Sequence, residues 1–192
     1  MNSHTVDYLK EVAEIARLLP AEQIEALVAE LKALRDRGGR LFLVGLGGSA
    51  ANCSHAVSDF RRLCGIDART PVDNFAEFTA AANDEGWHWV FTEWLKGRCV
   101  TSSDVLMVLS VGGGTDMVSL PIPAAVGAAH GAGMKVFGIV GRDGGYAAAH
   151  GDCIIIPTVN PKHVTPHTEA FQMVVLHCIV SHPDLQIRKT TW

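Results

Sequence analysis

The sequence predicts an α/β fold: a three-layer α-β-α sandwich around a doubly wound, parallel sheet of about five strands, preceded by a helical arm over residues 1–39. Two observations predict it. Short apolar runs with no polar alternation, the pattern of strands covered on both faces, recur along the chain. Between them lie stretches whose apolar residues repeat at helical spacing. Several of the runs end in glycine-rich turns, and an open parallel sheet meets its ligands beyond those strand ends.

In order, Val6, Leu9, Val12, Ile15, Ala16 and Leu19 recur at helical spacing until Pro20 interrupts them. Ile24, Leu27, Val28, Leu31 and Leu34 mark a second amphipathic helix ending near Gly38-Gly39. These two helices form the arm, expected to pack against a neighbour or the domain's own flank. Strand candidates follow at 40–44, 105–109, 135–140 and 153–156. Helices are expected near 50–63, 117–130 and 144–150, with shorter helical stretches at 75–82 and 86–97 and a closing helix over 168–181. This strand–helix–strand order implies right-handed crossovers within a single domain over residues 1–192.

A hydrophobic share of 48% suffices for a core, and 19% charged residues suits a chain that hides surface in an oligomer. A net charge of −4 argues against a nucleic-acid surface, which would carry a basic stripe. No apolar run approaches the roughly 18 residues of a membrane span. The N-terminus has acids among its apolar residues and no basic leader region, so no secretory signal is expected. The five cysteines, odd in number and without CxxC spacing, read as reduced thiols. A cytoplasmic location follows as the expectation.

Residues 41–49, LFLVGLGGS, read as a buried strand running into a glycine turn and then a helix. Gly47, Gly48 and Ser49 would present N–H groups that have no partner in the helix, a natural anion cradle. Residues 110–115, SVGGGT, leave the next strand in the same manner. Ser110 and Thr115 offer hydroxyls, and the N–H groups of Gly112 and Gly113 can form a nest for phosphate oxygens. Thr115 could equally cap a helix. A third glycine turn spans 141–145. His55 and Asp59, four residues apart, share one helix face as an acid/base or metal pair. Asp59 could instead pair with Arg61 or Arg62. Glu169 and His177 lie on the last helix, eight residues or about 12 Å apart, with Gln172 between them; His163 and His167 are spare ligand candidates before it. Asp84 sits in an acidic N-D-E-G turn, either a plain helix N-terminus or a substrate contact.

On these residues the chain resembles the sugar isomerase (SIS) domain family and, within it, the phosphoheptose isomerases. Residues 45–60, GLGGSAANCSHAVSDF, are similar to the family's G-N-G-G-S-A-A-x-x-x-H-x-x-x-E-[LF] pattern. Residues 110–115 align with its S-T-S-G-N-S phosphate loop, 83–86 with its N-D-x-G turn, and Glu169 and His177 with a Gln and a His eight apart. The resemblance implies that Ser49, Ser110 and Thr115 hold a substrate phosphate and Asp84 contacts sugar hydroxyls. Asp59 would stand as general base and His177 as its acid/base partner. It implies one Zn²⁺ per site, with His55, Asp59, Glu169 and His177 as ligands. It also implies a homotetramer with sites at subunit interfaces. The expected reaction is aldose–ketose isomerisation of sedoheptulose 7-phosphate through an enediol. The alternatives are another sugar phosphate, or a non-catalytic SIS module that tetramerises and recruits a protein partner. The chain departs from the pattern at Leu46 (Asn in the family), at Val111 and Gly112 (hydroxyl residues), at Asp59 (Glu) and at Glu169 (Gln). Glu169 is expected to strengthen cation binding if it reaches the metal.

Overall fold

The computed structural model describes residues 3–189. Arg40–Gly45 (β1), Asp67–Arg69 (β2), Val105–Ser110 (β3), Lys135–Val140 (β4) and Asp152–Ile155 (β5) form one sheet in the order β2-β1-β3-β4-β5, every neighbouring pair parallel. The chain leaves β1 towards β2 on one side and returns to β3 on the other. The β1/β3 boundary is therefore the topological switch point, where the loops splay apart and open a crevice.

Side chains alternate across the sheet and divide the core in two. Leu41, Leu43, Met107, Leu109 and Ile139 face one helical layer: α1 (His4–Leu18), α2 (Ala21–Asp36), α3 (Gly48–Cys64) and α8 (Val164–Val180). Phe42, Val44, Leu106 and Val108 face the other, with α5 (Val90–Gly97) and α6 (Pro121–Gly131). Phe78 of α4 (Phe75–Asp84) and Ala147 of α7 (Gly145–Ala149) also pack on this second side. This is the expected α-β-α sandwich. Of the two N-terminal helices, α2 buries Ile24, Leu27, Val28, Leu31 and Leu34 in the sheet-side core, whereas α1 buries only Ile15. The first helix is thus the loosely held part, and the second is integral to the layer.

The largest differences from the sequence reading are one strand and two helix starts. Strand β2 is only Asp-Ala-Arg and pairs with residues 40–42 of β1, so it carries no apolar run to betray it. Helix α6 begins at Pro121 rather than near 117, because Pro121 and Pro123 sit in its first turn, where no N–H is required. Helix α8 begins at Val164 rather than 168, with Pro166 tolerated in the first turn for the same reason.

The sheet's lower edge is clamped by Asp104, 2% exposed. Its carboxylate accepts from the Arg40 guanidinium at 3.0 and 2.7 Å, from Arg40 N at 2.9 Å and from Thr101 N at 2.8 Å. Burial alone would raise its pKa, but Arg40 and the two backbone donors outweigh this and hold it below the ordinary carboxylate value. The stabilisation is therefore fully present above the pKa of an unstructured aspartate and lost as pH falls below it. Asp104→Ala strands a largely buried guanidinium and two backbone donors, and is expected to cost about 3 kcal/mol in denaturant unfolding at pH 7. The difference from wild type should shrink below about pH 4.

All five cysteines are free. Burial pushes the Cys64 and Cys153 thiols up to about 12, which leaves them unreactive. Among the described residues no helix is long and apolar enough to cross a membrane.

Candidate active site

The switch-point crevice is built from backbone. After β1 the chain turns through Gly47, whose φ of +61° and ψ of −128° lie in a region closed to side chains, and α3 starts at the next residue. The loop after β3 carries Gly113 and Gly114 at φ +68° and +82°. Their carbonyls accept from Ala147 N at 3.0 Å and Tyr146 N at 2.9 Å, so this loop lies across the start of α7. A cavity of about 730 Å³ results, with Leu46, Ser49, Ser110, Gly112, Thr115 and Arg142 in its lining.

The three hydroxyls behave differently. Ser49 Oγ, at the head of α3, is buried and has no hydrogen-bond partner among the described residues, so it can donate to a ligand oxygen at no cost to the fold. Ser110 Oγ accepts from Gly113 N at 3.0 Å and shapes the loop. Thr115 Oγ1 accepts from Met117 N and Val118 N at 3.2 and 3.0 Å. It holds a turn of its own instead of capping α6, which starts six residues later. Arg142, in the glycine turn after β4, supplies a cation to this rim; the turn is visible in the sequence, but nothing in its spacing marks the arginine. Leu46, where the family pattern has Asn, lines the cavity with an apolar side chain.

Helices α3 and α8 run side by side from this crevice, and their seam is polar. Asn52 Nδ2 donates to Glu169 O and to Gln172 Oε1, both at 2.9 Å, and the fully buried Gln172 passes the network on to Ile139 O at 3.2 Å. The sequence places Gln172 between Glu169 and His177 but gives no sign of Asn52, since an amide on a helix carries no signature. Farther along, His55 Nε2, Asp59 Oδ2 and His177 Nε2 converge. The distances are 3.2 Å between the two nitrogens, 3.2 Å from His55 to Asp59 and 3.8 Å from His177 to Asp59. Asp59 is buried at the base while both rings are half exposed, in a second concavity of about 620 Å³. Two imidazole nitrogens and a carboxylate oxygen, all within 4.8 Å of one another, are a donor set that fits Zn²⁺ with a coordination position left for a ligand.

Two expected members stand elsewhere. Glu169 is not in that group; its carboxylate fills the space beside Gly48, two helical turns nearer the crevice. Eight residues of straight helix separate it from His177 by about 12 Å, and α8 is not distorted to close the gap. Its charge instead lies at the N-terminus of α3, where the helix dipole favours an anion and where it competes with any incoming one. Glu169→Gln is accordingly expected to tighten inorganic phosphate binding about two- to fivefold, measured by calorimetry at low salt. Asp84 is exposed at the C-terminal end of α4, not at a helix N-terminus. It lines a surface groove with Phe78 and Trp94, outside both concavities described above.

No known family's sequence profile matches the chain. Individual proteins do. A phosphoheptose isomerase of Roseiflexus sp. (strain RS-1) is 30% identical over 167 residues, covering 83% of this chain and 79% of that protein. A phosphoheptose isomerase of Trichlorobacter lovleyi is 28% identical over 184 residues, covering 93% and 87%. Among solved structures, a phosphoheptose isomerase from Neisseria gonorrhoeae superposes with a TM-score of 0.77 at 25% identity, covering 92% of this chain and 93% of that one. One from Francisella tularensis superposes with a TM-score of 0.79 at 23% identity, covering 94% and 97%, and bears on the fold alone.

Proposed function

The chain belongs to the phosphoheptose isomerase family, and from that premise we propose that it interconverts sedoheptulose 7-phosphate and D-glycero-D-manno-heptose 7-phosphate. The observation that carries the reading is the convergence of Asp59, His55 and His177 on the α3/α8 seam that leads out of a glycine-built, switch-point crevice.

The phosphate binds in the crevice. Its oxygens take hydrogen bonds from the N–H groups at the start of α3 and from the Ser49 hydroxyl, with Arg142 neutralising charge. Ser110 and Thr115 act mainly by holding the β3 loop in shape. Anchoring the non-reacting end this way positions the carbonyl end along the seam. There the Asp59 carboxylate removes a proton from C1 of the ketose, and the electron pair left behind forms the C1–C2 double bond of an enediol as the C2 oxygen gains a proton. A proton then returns to C2 while the C1 hydroxyl loses its own, which leaves an aldehyde at C1. His177 carries the oxygen-bound proton between the two oxygens, since an imidazole can give and accept near neutral pH. His55, Asp59 and His177 are the residues that would hold a Zn²⁺, whose contribution would be to polarise the carbonyl.

Asp84 fits the same scheme only in an assembly. Its distance from the crevice of its own chain supports a homotetramer with sites shared between subunits, and exposed Val6, Leu9, Phe75, Trp87 and Trp89 supply apolar surface for such contacts. Light scattering of the purified chain is expected to give four times the monomer mass. Zinc-replete protein incubated with sedoheptulose 7-phosphate is expected to yield the aldose. A protein that binds the sugar phosphate without turning it over would favour the binding-module reading instead.

A further inference from the structure

We propose that Glu11, His163 and His167 form a second transition-metal site of the Zn²⁺ type, separate from the His55–Asp59–His177 group, which fastens the first helix to the start of the last. Glu11 Oε2 stands 2.7 Å from His163 Nδ1 and 2.7 Å from His167 Nε2, and the three donor atoms lie within 4.8 Å of one another. His163 caps the start of α8 and His167 stands in its first turn, and both rings reach the same carboxylate oxygen. Glu11 arrives from α1, far away in sequence, to complete a two-histidine, one-carboxylate set.

Two features argue that the set is arranged for an ion and is more than a chance ion pair. The second oxygen of the carboxylate is already engaged: Asn160 Nδ2 donates to Glu11 Oε1 at 2.6 Å, which turns Oε2 towards both rings. Such outer hydrogen bonds commonly orient metal-binding carboxylates. The surroundings also exclude water without sealing the site. His167 is 3% exposed under the Tyr8 ring, whose centroid is 4.4 Å away, while His163 and Glu11 remain partly open.

The consequence is structural. Helix α1 buries only Ile15, so a metal bridging Glu11 to α8 would supply much of its attachment. The test uses the full chain, stripped of metal and titrated with Zn²⁺, with content read by atomic emission and Co²⁺ absorbance as a second probe. Wild type is expected to bind two equivalents. Glu11→Gln and, separately, His163→Gln should each lose one equivalent, and amide exchange in α1 should become faster in both. His55→Ala should keep the Glu11 equivalent and lose the other. Zinc stoichiometry unchanged in both Glu11→Gln and His163→Gln would overturn the proposal. So would a single wild-type equivalent that disappears in His55→Ala. A single equivalent lost only in the Glu11 and His163 variants would uphold this site and count against zinc at the catalytic group.

Discussion

Asp59→Asn is expected to lower turnover by about 10²–10⁴-fold, the usual contribution of a positioned proton-transfer group. The amide keeps the side chain's volume at a buried position whose polar partners are the two imidazoles at 3.2 and 3.8 Å. What it loses is the capacity to accept a proton from carbon. Sugar phosphate binding should survive, because the crevice lies about 15 Å up α3, ten residues from Asp59 at Ser49. Steady-state kinetics with calorimetric binding separate these effects. Unchanged turnover would remove Asp59 from the chemistry, and lost binding would mean that the seam, and not the crevice alone, holds the sugar phosphate.

Gly113→Ala is expected to weaken phosphate anchoring while sparing the sheet. The residue sits at φ +68°, where an L side chain costs about 1–2 kcal/mol. Moreover, its Cβ would collide with the Gly144 carbonyl, which is backbone and cannot swing aside. The β3 loop must therefore lift from the start of α7, breaking the bonds that Gly113 O and Gly114 O accept from Ala147 N and Tyr146 N. The expected readout is a KM raised by at least about tenfold, the equivalent of one lost charge-assisted hydrogen bond, with kcat much less affected. A thermal unfolding curve would show only a modest shift. Equal losses in kcat and kcat/KM would indicate that the loop acts on the reacting carbons instead.

The layered fold was legible because β1, β3 and β4 are buried on both faces and so are apolar everywhere but at an end residue (Arg40, Ser110 and Lys135). Strand β2 was not, since three residues pairing at the sheet's edge need no apolar run. The His55–Asp59 pair was legible for a similar reason: four-residue spacing on a helix is a geometric guarantee of proximity. His177 could join it only because α3 and α8 pack side by side, a tertiary fact that spacing does not encode. Glu169 illustrates the limit in the other direction. An alignment can match it to a ligand position, yet its place beside Gly48 depends on how deep the α3/α8 seam runs. The Glu11–His163–His167 group was half visible: the histidines were noticed, but a carboxylate some 150 residues earlier carries no local sign of its partners.

A crevice for the phosphate and a carboxylate–imidazole group farther along α3 together move a proton between two carbons of a seven-carbon sugar phosphate. An NMR time course of sedoheptulose 7-phosphate with the zinc-replete chain, run beside Asp59→Asn, tests this. Conversion to D-glycero-D-manno-heptose 7-phosphate by the wild type, lost in the variant, is the predicted result. No conversion above background by a wild type that nonetheless binds the ketose would contradict it.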